Sequence, residues 1–106
     1  MSCLRESDIE KCLVRKIKEK GGFAIKFVSP SLSGIPDRLL LFPEGKFAFV
    51  ELKAKGKKPR PLQLKRMADF RKLGFKCFVI DDKGQIGGVI DEILSTWLSK
   101  VCNGLY

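Results

Sequence analysis

Histidine is absent from this 106-residue chain, and its four cysteines (Cys3, Cys12, Cys77 and Cys102) are scattered, with no Cys-x-x-Cys pair. That combination excludes the common zinc sites, which gather His and Cys ligands at short spacing. Dispersed thiols suit a reducing compartment better than a disulfide framework, so a cytoplasmic location is expected. No apolar run comes near the roughly 20 residues needed to span a bilayer. The opening residues, Met-Ser-Cys-Leu-Arg-Glu-Ser-Asp, lack a signal peptide's hydrophobic segment. Internal repeats and low-complexity segments are missing as well. A chain of this length is read as one domain, 1–106, large enough for a real core but with little room for a second.

Acidic residues are also scarce, 12 against 21 Lys and Arg, for a net charge of +9. The excess is unevenly spread. From Lys53 to Lys72 there are nine basic residues and one acid, Asp69, so nearly all of it sits in one short stretch. Such a cluster is the electrostatic footprint of a nucleic-acid binder, gripping backbone phosphates with strong salt dependence and little sequence preference. A merely solvated basic face is the plainer alternative. Its position beside two conspicuous carboxylates favours the first reading.

Those carboxylates lie in Gly34-Ile35-Pro36-Asp37 and, thirteen intervening residues after the aspartate, Glu51-Leu52-Lys53. Arg38–Phe42 and Lys46–Lys53 have strand composition and are separated by Pro43-Glu44-Gly45. A three-residue hairpin loop commonly places its last residue in the left-handed region, where glycine is least strained. With that loop Phe42 faces Lys46, and counting back sets Asp37 opposite Glu51. Directly paired side chains have Cβ atoms roughly 4.5–5.5 Å apart. Lys53, two residues beyond Glu51, shares its face.

Facing carboxylates repel, an odd choice for strands selected only for stability. Both strands are also apolar on both faces, as central strands are, and charges at the end of a buried strand are costly unless paired or metal-bound. A divalent cation removes the conflict. Mg²⁺ takes hard oxygen ligands and keeps several waters, so one or two carboxylates suffice. The Leu52 backbone carbonyl is a further candidate oxygen. Such an ion polarises a phosphoryl oxygen and acidifies water, with Lys53 placed to assist. Taken alone, Glu-x-Lys and Pro-Asp are ordinary edge and turn sequences. Their convergence under one hairpin makes them a candidate centre.

Elsewhere, Arg5–Lys20 has the spacing of a helix, with Ile9, Leu13 and Ile17 recurring and Gly21-Gly22 as its stop. Ser7-x-x-Glu10 matches a capping box, which would occupy Glu10 locally. The alternative turns Glu10 towards the hairpin as a third acid, with Glu6 as its rival. Phe23–Val28 has strand character. Its Lys26 either reaches solvent or approaches a phosphate. The loop from Ser29 to Pro36 is rich in small residues, so its backbone can approach a ligand closely. Pro61 fits the first turn of a helix running to about Leu73, with Leu64, Met67, Ala68 and Phe70 inward and Lys65, Arg66, Asp69 and Lys72 outward. Gln63 lies at the margin of the inward face and wants a partner, either backbone or the carboxylate site. Lys76–Ile80 is a further strand, Asp82-Lys83-Gly84 a turn, and Ile90, Ile93, Leu94, Trp97, Leu98 and Val101 mark a C-terminal helix. The expected class is α/β, a mixed β-sheet flanked by helices in the order α-β-β-β-α-β-α.

That order, with Pro-Asp and Glu-x-Lys on the second and third strands, resembles the restriction-endonuclease-like core of the PD-(D/E)XK nucleases. The closer resemblance is to the VRR-NUC family, small stand-alone proteins of phages and bacteria and nuclease domains of larger repair enzymes. It spans roughly residues 5 to 90. It rests on Ile9-Glu10-Lys11, Lys26-Phe27-Val28-Ser29-Pro30, Gly34-Ile35-Pro36-Asp37-Arg38, Phe49-Val50-Glu51-Leu52-Lys53 and Pro61-Leu62-Gln63. The resemblance implies that Glu10 rather than Glu6 is the helical acid, that Asp37 and Glu51 are metal ligands, that Lys53 is the catalytic lysine and that Gln63 belongs to the site. It further implies Mg²⁺ or Mn²⁺, no small-molecule cofactor and hydrolysis of DNA phosphodiesters. It implies a homodimer and branched substrates such as four-way junctions in replication, recombination or repair. Lys26, Ser29, Arg38, Lys55, Lys57, Lys58, Arg60, Lys65 and Arg66 are the expected DNA-facing set. Two other readings remain at this point: a non-catalytic DNA-binding module on the same scaffold, and a nuclease acting on RNA or free ends.

Overall fold

The computed structural model describes residues 5–102, with side chains to residue 95. Helix α1 (Glu6–Glu19) leads into strand β1 (Phe23–Lys26), then β2 (Arg38–Leu41) and β3 (Phe47–Leu52). Helix α2 (Pro61–Lys72) crosses to β4 (Cys77–Ile80), and α3 (Ile86–Cys102) follows a short 3-10 turn (Lys83–Gln85). The sheet order is β1-β2-β3-β4, antiparallel across the first three strands and parallel between β3 and β4. The expected α/β order is the observed one, and the two hairpin strands lie inside the sheet. The side chains of Trp97, Leu98, Val101 and Cys102, and the whole of Cys3, fall outside the described residues. Cys12 and Cys77 are buried free thiols.

The β2–β3 register follows the loop between them. Arg38 pairs with Val50 and Leu41 with Phe47, and the Phe42 N–H donates to the Lys46 carbonyl at 2.8 Å. Gly45 takes a positive φ of 76°, as the three-residue loop requires, and Glu44 joins it at 69°. Period-two alternation then divides the sheet into two faces. Leu40, Ala48, Val50, Leu52 and Ile80 pack with Ile9, Leu13 and Ile17 of α1 and with Ile86, Ile90 and Ile93 of α3. Ile86 is fully buried, which explains why α3 begins there and runs through Gly87-Gly88 rather than starting nearer Ile90.

The opposite face carries Phe47, Phe49 and Glu51, and α2 covers part of it. Phe49 contacts Phe70 of α2 at a ring-centroid distance of 4.8 Å, Phe47 at 5.7 Å and Phe27 at 6.1 Å. Here the inward face of α2 departs from expectation. Gln63 and Met67 are buried with Phe70 partly so, while Leu64 is half-exposed and Ala68 exposed. Arg66 and Asp69 are partly covered instead of fully outward. The helix is turned about its axis so that Gln63 meets Glu51 and Phe70 meets Phe49, and these two contacts outweigh the apolar character of Leu64. Because α2 stops short of β1, Phe23 and Ile25 stay exposed along the sheet's open half. Among the described residues no helix is long and apolar enough to cross a membrane.

Candidate metal centre and its basic border

Asp37 ends the loop that precedes β2, and its carbonyl accepts the Phe27 N–H at 2.8 Å, which fixes where the strand begins. Extending the Arg38–Val50 register by one residue sets Asp37 opposite Glu51. The Asp37 carboxylate then spans two partners. Oδ1 accepts the Leu52 N–H at 3.2 Å, and Oδ2 lies 3.1 Å from Arg38 Nη1. At the next ladder position Leu52 faces Pro36, which has no N–H to donate. The Leu52 carbonyl is therefore left without a donor from β2.

Glu51 is 3% exposed. Its Oε2 accepts from Gln63 Nε2 at 2.9 Å and lies 3.3 Å from Lys53 Nζ. Its Oε1 is buried with no hydrogen-bond partner. Burial, and after it the nearby Asp37 charge, push the Glu51 carboxyl above the usual range, while Lys53 pulls the other way. With one oxygen buried and unpaired, an ionised Glu51 is under-compensated by protein alone.

Gln63 serves two groups at once. Its Oε1 accepts the Arg60 N–H at 2.8 Å, closing the first turn of α2, while its amide nitrogen holds Glu51. The side chain thus makes both a local backbone bond and a bond to the Glu51 carboxylate. For Glu10 the alternatives separate. Helix α1 begins at Glu6, one residue before Ser7, and the Arg5 N–H is taken by Asp8 Oδ2 at 3.1 Å. The Ser7-x-x-Glu10 box is therefore not formed. Glu10 Oε2 accepts instead from Arg38 Nη2 at 2.7 Å, and Glu6 stays exposed.

The donor set fits a small hard cation. Asp37 and Glu51 face each other, one Glu51 oxygen is buried and unsatisfied, and the Leu52 carbonyl lacks its strand donor. Among the described residues no group of three or more His, Cys, Asp or Glu has metal-binding spacing. The Glu10 carboxylate, expected as a third ligand directly or through water, rests on Arg38. Two carboxylates still meet the need of Mg²⁺, which retains water ligands.

The basic border divides into exposed and engaged cations. Lys26, Lys57, Lys58 and Arg60 are exposed. Lys55 pairs with Asp82, whose carboxyl is held below its usual range by that hydrogen bond and by the Gly84 N–H. Lys65 lies 3.5 Å from Asp69. Arg66 donates to the Ser33 carbonyl at 3.0 Å and lies 3.4 Å from Asp69, so it ties the 29–36 loop to α2. The Ser29 hydroxyl is 3.3 Å from that of Ser31 within the loop. Arg38, expected to face DNA, is 6% exposed and carries Asp37 and Glu10. Residue type alone misplaces it. Strand parity would have turned it towards α1, the helix that bears Glu10.

Residues 3–82 match the family model described as the VRR-NUC domain. A protein named "Putative nuclease p44", from Acyrthosiphon pisum secondary endosymbiont phage 1, is 48% identical over 83 residues, covering 78% of this chain and 89% of its own length. A solved structure described as a VRR-NUC domain aligns with a TM-score of 0.76 and 33% identity, over 81% of this chain and 94% of its own.

Proposed function

The chain belongs to the VRR-NUC domain family, and from that premise we propose that it is a divalent-metal-dependent DNA endonuclease acting on branched substrates such as four-way junctions. The observation that carries this reading is the buried, partnerless Glu51 Oε1 in a carboxylate facing Asp37. Asp37, Glu51 and the Leu52 carbonyl would hold Mg²⁺ or Mn²⁺. The bound ion would supply Lewis acidity towards a phosphoryl oxygen and a lowered pKa for water. Gln63 fixes the rotamer of Glu51 and so the position of its free oxygen. Lys53, with a side chain 19% exposed and anchored on Glu51, can donate to the attacking water or to the charge growing on the phosphate. Lys26, Lys57, Lys58 and Arg60 would grip the backbone on either side.

A homodimer belongs to the same reading, because symmetric cleavage of a junction needs two centres and the described residues form one. It is supported by Phe23 at 70% and Val28 at 83% exposure, large apolar groups that water disfavours and a second copy would cover.

The test compares four-way junctions, flaps, linear duplex and closed circles, each with Mg²⁺ and with EDTA. Cleavage of junctions at Mg²⁺-dependent rates well above those of linear duplex is expected, and Asp37→Ala should abolish it while leaving binding intact. Salt-sensitive binding with no metal-dependent cleavage of any substrate would make the chain a DNA-binding module on a nuclease scaffold. Preference for RNA or for free ends would change the substrate but keep the centre.

A further inference from the structure

We propose that Arg38 is the centre's internal counter-ion: it holds Asp37 and Glu10 in place before a divalent cation arrives, and its charge opposes that cation's binding. The inference rests on the metal-centre reading above. Arg38 starts β2 on the α1 side of the sheet, where its register partners are Lys26 and Val50. Its side chain is 8% exposed, and its Nε is buried with no partner. A guanidinium so placed is strongly disfavoured unless its charge is met. Two acids from different elements meet it: Glu10 of α1 at 2.7 Å and Asp37 at 3.1 Å, with the Asp37 carbonyl at 3.0 Å.

The distribution of charge gives this contact its consequence. Glu10 and Asp37 meet on Arg38, Asp37 in turn faces Glu51 across the strand pair, and Lys53 pairs with Glu51. Without Arg38, Asp37 and Glu10 would have no cationic partner among the described residues. The planar fork reaches two carboxylates at once, which a lysine ammonium does less well. Arg38 is thus a positioning residue. Glu10 reaches the centre only through it, and Asp37 keeps its orientation between Leu52 and Arg38. A divalent ion seated on Asp37 meets the same guanidinium as a like charge, so the residue that secures the acids also weakens the ion's hold.

The test is Arg38→Met, read by melting temperature and by calorimetric titration with Mg²⁺ and Mn²⁺. In EDTA the variant should melt about 5–10 °C below the parent, because the two acids it leaves unpaired are 28% and 33% exposed and partly hydrated. Saturating Mg²⁺ should restore at least half of that loss. The titration should show binding tighter by roughly tenfold, since one opposing charge a few ångströms away has been removed. Should Arg38→Met not fold in EDTA, the double variant with Glu10→Gln should recover folding, because one uncompensated acid is gone. Equal melting losses with and without Mg²⁺, unchanged or weaker metal binding, or a double variant as damaged as the single one would each overturn the proposal and leave Arg38 a packing residue. A parent protein that binds neither ion would instead overturn the metal-centre reading on which it stands.

Discussion

Gln63 donates its amide hydrogen to Glu51 Oε2 across 2.9 Å while its carbonyl oxygen closes the start of its own helix on the Arg60 N–H. One side chain therefore couples the position of α2 to the rotamer of a buried carboxylate. Gln63→Ala breaks both bonds. We expect a stability loss of about 1 kcal/mol and a fall in cleavage rate of about 10–100-fold, the usual cost of losing a group that orients a metal ligand. Gln63→Glu keeps an acceptor for Arg60 but sets a second carboxylate against Glu51. Its activity should fall at least as far as that of Gln63→Ala, while the start of α2 is retained. Single-turnover cleavage and circular-dichroism melts on the two variants separate these effects.

Glu51 makes the stability of the metal-free protein depend on pH. Burial first and Asp37 second raise its pKa, so the folded state binds this proton more tightly than the unfolded chain. The resulting stabilisation is fully present below the unfolded pKa and is lost as pH rises through the folded one. At neutral pH the ionised group is therefore a liability until a cation meets it. Glu51→Gln should raise the melting temperature in EDTA at about pH 7–8 by a few degrees, as ~1 kcal/mol moves a small domain by roughly 4–8 °C. The gap should shrink as pH falls through the folded pKa and close below about pH 4, where both states carry the proton. The same variant should lose cleavage and lose stabilisation by Mg²⁺. A Glu51→Gln melt equal to the parent's in EDTA across that range would mean that Glu51 is no more strained than a surface carboxylate.

The hairpin register was legible because loop length and one glycine determine it, and the pairing of Asp37 with Glu51 follows by counting. Two of the harder positions were legible only as alternatives. Gln63 makes a backbone contact and a carboxylate contact together, and the contact of Glu10 depends on where α1 begins, a one-residue matter that periodicity does not resolve. The inward face of α2 was misread because Leu64 and Ala68 are apolar by type, whereas the helix is oriented by a polar contact to a buried acid. Arg38 was misread for the converse reason. A basic residue beside a basic cluster suggests phosphate contact, yet its strand position turns it inward, onto acids from two elements. In each case a pairwise contact distant in sequence overrode what residue type implied.

Gly34 brings the 29–36 loop against α2. Its φ is +80°, and a Cβ there would lie 2.7 Å from Leu62 Cγ and 3.0 Å from the Leu62 carbonyl oxygen. Gly45 has a similar φ of +76° but open space around it. Gly45→Ala therefore measures backbone strain alone, on the order of 1 kcal/mol. Gly34→Ala adds a clash that only movement of the loop relieves. It should be the less stable of the two and should slow cleavage, because Asp37 lies three residues downstream. Equal melting temperatures for the two variants would show that the loop gives way freely.

The exposed and the engaged cations should separate in salt titrations. Each phosphate contact contributes about 0.9 to the slope of log affinity against log salt on duplex DNA. Lys57 and Lys58 are exposed in the connector between β3 and α2, so Lys57→Ala with Lys58→Ala should flatten that slope by roughly 2 and weaken all sequences alike. Arg66 already spends its guanidinium on Ser33 and Asp69. Arg66→Met should leave the slope unchanged and lower the melting temperature instead, by freeing the loop that leads to Asp37. Both measurements belong in an Asp37→Ala background, where cleavage does not consume the substrate. An Arg66→Met slope that falls as far as that of a lysine variant would put its guanidinium on DNA and make the contact with Ser33 incidental.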